Sequence, residues 1–227
     1  MTLDWGALAL TAQLASLTTV VLLAVATPIA WWLARSNRPW AGWVEAVVAL
    51  PLVLPPTVIG FYLLVALAPE STLGAWWYSA TGASLLFSFE GLVLASLIYS
   101  LPFAVQPLQT AFAGISNNLL EAASSLGASF PDRFLHLALP LSRRGYLTAA
   151  VLTFAHTVGE FGIVLMIGGN IPGETRVASI ALYESVEILD YGSAHQMSLV
   201  LLGFSFLVLL LVYVSNRAWA PKSEGRL

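Results

Sequence analysis

Residues 121–140 read EAASSLGASFPDRFLHLALP, a stretch of small, polar and charged residues in the middle of a very apolar chain. Long apolar runs lie on both sides of it. The 227 residues are 58% hydrophobic and only 9% charged, whereas a soluble domain carries about 25% charged residues. So few polar side chains cannot cover a globule that faces water, and the composition therefore predicts an integral membrane protein.

Five apolar runs are long enough to cross a membrane as helices, which takes about 20 residues each. The runs are continuous and do not alternate as the strands of a membrane barrel would. No basic residues precede the first run, so we expect it to be retained as a helix and not cleaved as a signal peptide. We predict an all-α membrane protein with a single transmembrane domain over residues 1–227 and spans at about residues 9–34, 44–68, 92–112, 146–168 and 197–216.

The basic residues predict the orientation of these spans. With five spans, eight of the nine Lys and Arg residues fall on one side of the membrane: Arg35, Arg38, Arg133, Arg143, Arg144, Arg217, Lys222 and Arg226. Only Arg176 falls on the other side. Loops rich in Lys and Arg stay in the cytoplasm. We therefore predict an external N-terminus, a cytoplasmic C-terminus and a cytoplasmic loop at residues 114–145, which contains the opening stretch.

Two short helices are predicted within this loop. The first begins near Asn117 and ends or bends at Gly127. The second begins at Pro131 and runs toward Pro140. Its surface is amphipathic, with Phe130, Arg133 and Phe134. A helix of this kind either lies on lipid headgroups or docks into a groove of another protein, and the residues alone leave both possibilities open.

Prolines interrupt the second predicted span. Residues 50–60 read LPLVLPPTVIG, and each proline removes a backbone donor, so we predict a kinked or broken helix. Irregular backbone at membrane depth is either buried in protein or lines a cavity. The segment is thus either the wall of a translocation path or a packing kink. Its candidate path residues are Pro55, Pro56, Thr57 and Gly60.

The fourth predicted span contains two ionisable residues, His156 and Glu160, at a spacing that places both on one helix face. Such groups usually face the bundle interior and are paired. Metal ligation, a proton relay and a structural role, with Glu160 bonded to His156 or to a neighbouring helix, are the three interpretations, and the lack of an HExxH motif speaks against metal. In the structural interpretation, the neighbouring glycines permit close helix packing. The candidate residues here are His156, Gly159, Glu160, Phe161, Gly162, Gly169 and Asn170.

The opening stretch resembles the EAA motif of ABC importer permeases, through EAA at residues 121–123, Gly127 and LALPL from Leu137. GEFG followed by GGNIPG, at residues 159–173, is similar to permeases for tetrahedral oxyanions, molybdate permeases above all. The resemblance covers nearly the whole chain. In that family the loop forms a coupling helix that sits in a cleft of the ATP-hydrolysing subunit. The resemblance thus assigns ATPase coupling to Glu121, Ala122, Ala123, Gly127, Phe130, Pro131, Arg133, Phe134 and Pro140.

The resemblance also implies an ABC type I importer permease fold in the inner membrane of a prokaryotic cell. Such a permease moves molybdate from an extracytoplasmic oxyanion-binding protein into the cytoplasm by alternating access, with tungstate or sulfate as alternatives. The implied partners are a second copy of the chain, two ABC ATPase subunits that use ATP and Mg²⁺, the binding protein and the lipid bilayer, with no nucleic acid.

The chain itself has no GxxxxGK[ST] nucleotide loop. We therefore predict a transport subunit that is not an enzyme and binds no cofactor. Two other classes of function compete with this prediction. An intramembrane enzyme would use His156 and Glu160, and a passive channel would conduct without ATP but would give no reason for the EAA pattern.

Overall fold

The computed structural model describes residues 3–218, and within this range the chain forms helices and no strand. The predicted all-α class is therefore confirmed. Two of the basic residues used to predict the orientation, Lys222 and Arg226, lie outside the described residues.

The described helices are α1 (Trp5–Arg35), α2 (Ala41–Val53), α3 (Pro56–Leu67), α4 (Thr72–Thr81), α5 (Phe89–Ala113), α6 (Asn117–Ser125), α7 (Phe130–Arg133), α8 (Leu139–Leu141), α9 (Arg143–Gly159), α10 (Gly162–Gly168), α11 (Ala178–Glu187) and α12 (Tyr191–Ala218), with a π-helical turn, Phe134–Ala138, between α7 and α8. Three of them, α1, α5 and the Tyr191–Val212 part of α12, are long and apolar enough to cross a membrane alone. Two bent pairs, α2 with α3 and α9 with α10, meet the same criterion together. By length and composition, the described chain thus has three to five candidate spans.

The core of the bundle forms where α1 packs against α5 and α9. Every fourth residue of one α1 stripe is at most 1% exposed, and the stripe consists of Leu14, Thr18, Leu22, Ala26 and Ala30. Gly145 at the start of α9 lies so close to α5 that an added Cβ would be 2.4 Å from the Cβ of Ala111. Small residues at such contacts let membrane helices approach closely.

The second predicted span is broken, as the prolines indicate. The axes of α2 and α3 are bent by 109° at the break. Leu54 is extended there, with ψ of 138°, because the residue before a proline disfavours the helical conformation. Neither Pro55 nor Pro56 has an N–H group to continue the hydrogen-bond ladder of α2. The prediction of a kinked or broken helix is therefore confirmed.

The fourth predicted span is also broken, with a 62° bend between α9 and α10. The prediction that His156 and Glu160 share one helix face is wrong, because Glu160 lies beyond the end of α9 in an extended conformation (φ −72°, ψ 134°). Its side chain instead caps α10, where Oε1 accepts a 3.0 Å hydrogen bond from the N–H of Ile163. The first turn of a helix has unpaired N–H groups and favours a carboxylate, so this cap stabilises the break.

Two short helices, α4 and α11, have no counterpart among the predicted spans. Ser71 begins α4 by accepting a hydrogen bond from the N–H of Gly74 (2.9 Å), and Gly82 ends it with φ of 74°. Trp76 on α4 is 65% exposed, as is typical of a helix at the membrane interface. Because α4 precedes α5 and α6 follows it, these two helices lie at opposite ends of a helix roughly 37 Å long, at 1.5 Å per residue.

Candidate functional site

The EAA residues lie on α6, where Glu121 and Ala122 are exposed and Ala123 is half-buried. A Schellman turn ends this helix, as the N–H of Ala128 donates to the carbonyl of Ala123 (3.0 Å) and the N–H of Gly127 to that of Ser124 (2.9 Å). Gly127 has φ of 88°, a conformation that favours glycine. The predicted end of the first short helix at Gly127 is therefore confirmed.

A capping box begins α7 directly after this turn. The Ser129 hydroxyl accepts from the N–H of Asp132 (3.4 Å), and the Asp132 carboxylate accepts from the Ser129 N–H (3.2 Å) and hydroxyl. The hydrogen bonds from the side chain and then the backbone of Ser129 hold the pKa of Asp132 below its ordinary value. Asp132 is therefore ionised at neutral pH, and local hydrogen bonds fix the angle between α6 and α7. Pro131 fits the first turn of α7, as predicted.

Five large apolar side chains of the loop are exposed: Leu126 is 89% exposed, Phe130 56%, Leu141 56%, Leu135 53% and Leu119 43%. Exposed apolar groups of this size mark surfaces that bind proteins or membranes. Phe130 is among the predicted coupling residues, whereas Leu126 and Leu135 are not. The sequence does not reveal which side of so short a helix the rest of the bundle covers.

The opposite side of the loop is anchored to the membrane helices. The Phe134 ring contacts the rings of Trp31 (5.4 Å between centroids) and Phe112 (6.1 Å). Arg133 is half-buried and Pro140 is exposed on α8. Pro140 has no N–H to donate to the carbonyl four residues before it, and the chain preceding it widens into the π-helical turn, where the N–H of Leu139 donates to the carbonyl of Phe134.

The two helix breaks lie close together, because α3, which follows the first break, packs against α10, which follows the second. A Cβ added at Gly162 would lie 2.9 Å from the Cβ of Pro56, and one at Gly60 would lie 2.7 Å from the sulfur of Met166. The structure thus brings together three of the predicted path residues, along with Met166, which was not predicted. Gly159 is different, because a Cβ there would meet no atom within 4 Å. The expectation that Gly159 permits close packing is therefore wrong.

His156 and Glu160 have separate partners. The Nδ1 atom of His156 lies 3.0 Å from the hydroxyl oxygen of Ser100, and its ring stacks on Phe103 with the centroids 4.0 Å apart. Both contacts join α9 to α5. Glu160 caps α10, and its backbone carbonyl accepts a 2.6 Å hydrogen bond from the hydroxyl of Ser179. The two residues therefore bond to different helices and not to each other, so only the alternative of a neighbouring helix remains for Glu160 in the structural interpretation.

The remaining predicted path residues lie beside the breaks. Pro55 and Thr57 are exposed at the first break. The Phe161 ring lies 4.8 Å from that of Tyr183 at the second. Gly169 ends α10 with φ of 64°, and Asn170 is exposed in the following loop. Over residues 3–218, no group of three or more His, Cys, Asp or Glu side chains is arranged to hold a metal ion.

Comparison with known proteins agrees with this architecture. The chain is 54% identical to "Molybdenum transport system permease protein ModB" of Azotobacter vinelandii, over 94% of this chain and 95% of that protein. It is 34% identical to "Probable sulfate transport system permease protein cysT" of Nephroselmis olivacea, over 83% of this chain and 67% of that protein. The fold resembles a chain of a bacterial alginate ABC transporter in complex with an alginate pentasaccharide-bound periplasmic protein, with a TM-score of 0.72, 16% identity and coverage of 98% of this chain and 80% of that chain.

Residues 26–222 match the family described as "Binding-protein-dependent transport system inner membrane component". This match covers most of the chain and confirms the resemblance found in its sequence. The prediction of a multi-pass inner membrane protein is confirmed with it. The chain belongs to the family of inner membrane permease components of binding-protein-dependent transport systems.

Proposed function

We propose that this chain is the membrane-spanning permease of an ATP-driven importer that carries molybdate into the cytoplasm. The observation that carries the proposal is the geometry of the loop at residues 114–145. A Schellman turn at Gly127 and a capping box at Ser129 order the loop, and the Phe130 side chain remains 56% exposed although its ring also meets Trp31. A short rigid helix of this kind fits a groove of another protein. The similarity to a molybdenum permease supports the choice of substrate.

The partner of the loop is an ABC ATPase on the cytoplasmic face. The distribution of Lys and Arg supports this orientation, since Arg176 is the only basic residue assigned to the other side. One chain presents one such loop, so a pair of ATPases requires two permeases. Only 6% of the most apolar window of α12 is buried within the chain. This apolar surface is available to a second copy or to lipid.

Transport would combine the loop with the two broken spans. The ATPases hydrolyse ATP with Mg²⁺, while this chain binds no nucleotide and contributes a two-state element that its partners bias. The contact of α3 with α10 is the candidate moving part, because both helices begin at a break and approach each other at Gly60 and Gly162. Closure of the ATPases would shift the loop and thereby change the tilt of the membrane helices.

The path offers an oxyanion few positive charges. Within residues 3–218, the Lys and Arg residues lie at the ends of the helices or between them. Glu160 would repel an anion, and its carboxylate is already engaged by α10. We infer a conduit that binds its substrate weakly through hydroxyl groups and backbone donors, so that discrimination between oxyanions takes place in the external binding protein.

The experiment is uptake of radioactive molybdate into proteoliposomes that contain this chain, its ABC ATPase and the oxyanion-binding protein. We expect uptake to require ATP and the binding protein and to be inhibited by unlabelled tungstate, which has nearly the same size and charge. Preferential uptake of sulfate would identify sulfate, and not molybdate, as the substrate. Uptake without ATP would indicate a channel, and failure to assemble with an ABC ATPase would contradict the proposal as a whole.

A further inference from the structure

Arg35, the last residue of α1, contacts two other parts of the chain at once. Its Nη2 atom donates to the backbone carbonyls of Phe112 (2.8 Å), in the last turn of α5, and of Ile115 (2.9 Å), in the segment that follows α5. Its Nη1 atom donates to Oδ1 of Asn117, the first residue of α6. A single guanidinium therefore joins the ends of two membrane helices to the start of the loop that carries the exposed apolar residues.

The physical reasons for this arrangement lie in the end of α5. The last carbonyl groups of a helix have no partner within the helix, and a positive charge there is favourable. A planar guanidinium can donate in several directions, which the ammonium group of lysine cannot do with the same geometry. Arg35 is half-buried, so these hydrogen bonds compete less with water than those of a fully exposed arginine.

One turn earlier on α1, Trp31 reinforces the same joint. The guanidinium of Arg35 lies 5.2 Å from the centre of the Trp31 ring. The ring in turn meets Phe112 edge-on at 5.2 Å, Phe134 at 5.4 Å and Phe130 at 6.2 Å. Arg35 thus links α1 to α6 through Asn117, and Trp31 links α1 to α7 through Phe130.

The covalent link between α5 and α6 is only the non-helical segment 114–116. A few residues of this kind can act as a hinge that absorbs the displacement of whatever follows them. The contacts of Arg35 cross this hinge, from α1 and α5 on one side to Asn117 on the other. They therefore oppose bending at the hinge.

We infer that Arg35 is a positioning residue for the coupling of ATP hydrolysis to transport, because it makes α6 move together with α1 and α5. This inference rests on the proposed function. Without the guanidinium, a displacement of the loop would bend the segment 114–116 and would be passed less fully to α1 and α5. The ATPase would then drive less transport for each ATP hydrolysed.

The test compares Arg35→Ala and Arg35→Lys with the wild-type complex of permease, ABC ATPase and binding protein in proteoliposomes. Three quantities are measured: the amount of assembled complex, ATP hydrolysis with and without molybdate-loaded binding protein, and molybdate transported per ATP. In Arg35→Ala we expect normal assembly and basal hydrolysis, with molybdate per ATP reduced about tenfold, since hydrogen bonds from a charged donor each contribute enough to change an equilibrium by about that factor. Arg35→Lys retains the charge, and we expect it to restore part of the transport.

Arg38→Ala is the matched control. Arg38 lies near the same end of α1 with its guanidinium 5.6 Å from the ring of Trp40, and its removal changes the net charge by the same amount. We expect normal transport per ATP in this variant. A merely structural role of Arg35 would lower assembly and leave transport per ATP unchanged in the complex that remains.

Normal transport per ATP in Arg35→Ala overturns the inference. If that variant does not assemble, Arg35→Lys decides the question, and a wild-type ratio of transport to hydrolysis in it would equally overturn the inference. A wild-type complex without stimulation by the loaded binding protein contradicts the proposed function itself, and the inference with it.

Discussion

The loop at residues 114–145 and the two breaks in the membrane-spanning helices have irregular backbones, but different contacts determine their conformations. In the loop, neighbouring residues determine the backbone, through the Schellman turn of Gly127 and the capping box of Ser129 and Asp132. Leu126 and Phe130 of the loop remain exposed, whereas Phe134 packs on the membrane helices. At the breaks, the two prolines and the Glu160 cap turn the backbone, but contacts between distant segments hold the two broken spans together, as Gly162 packs on Pro56. A locally determined loop can move as a rigid unit, whereas a break held by packing responds when the helices around it move.

The largest effect is expected from filling the contact between the two breaks. Gly162→Ala would place a Cβ 2.9 Å from the Cβ of Pro56, a ring atom that cannot rotate away. We expect a loss of about 1–3 kcal/mol of unfolding free energy from overpacking. The measurement is thermal unfolding of the purified chain in nanodiscs.

Gly159→Ala is the matched control, three residues earlier. A Cβ at Gly159 would meet no atom within 4 Å, so the same substitution should be neutral, or stabilising by about 0.5 kcal/mol because alanine favours the helix. Equal melting temperatures for the two variants would contradict the proposed close contact of α3 with α10.

A smaller effect is expected from removing the cap of α10. Glu160→Ala removes the acceptor for the N–H of Ile163, and loss of such a cap costs about 1–2 kcal/mol. Glu160→Gln keeps an oxygen at the same position and should retain most of the stability. Thermal unfolding of both variants gives the comparison. If the glutamine variant were as unstable as the alanine variant, the charge of Glu160 and not its hydrogen bond would hold the break.

Gly127→Ala tests the function of the loop separately from the stability of the fold. A side chain at φ of 88° is strained although no atom lies within 4 Å of its Cβ, and we expect a loss of about 1 kcal/mol. Gly82→Ala is the matched control at the other end of α5, with φ of 74° and equally open space. We expect similar melting temperatures for both variants, but reduced stimulation of ATP hydrolysis only for Gly127→Ala. Reduced stimulation in both variants would show that the loop has no special part in coupling.

The smallest effect concerns the capping box and depends on pH. Ser129 lowers the pKa of Asp132 in the folded chain. At pH values above the ordinary pKa of an aspartate, the ionised carboxylate therefore stabilises the loop. This contribution is lost as the pH falls through the lowered pKa. Asp132→Asn should therefore melt slightly below the wild type at neutral pH, and the difference should vanish in strong acid. A difference that persists in strong acid would mean that the ionised carboxylate is not what stabilises the loop.

The difference between local and long-range contacts also explains how much of the structure the sequence can predict. The break at Pro55 and the end of α6 at Gly127 are predictable, because proline and a glycine in a left-handed turn act through the local backbone. The break after Gly159 is not, because glutamate does not interrupt a helix and Glu160 acts by capping the next one. The role of Arg35 is also hidden, since its partners lie about 80 positions away in the sequence. From the sequence alone, Arg35 contributes only to the orientation of the spans.

The most direct test of the central claim is photocrosslinking from Phe130. This residue would be replaced by the photoreactive amino acid benzoylphenylalanine in the chain co-expressed with its ABC ATPase, and Trp76 would be replaced in the same way as the control. Both side chains are more than half exposed, and they lie at opposite ends of α5. We predict a crosslink to the ATPase from position 130 and none from position 76. A crosslink from position 76, or none from position 130 in an assembled complex, would contradict the assignment of this loop to the ATPase.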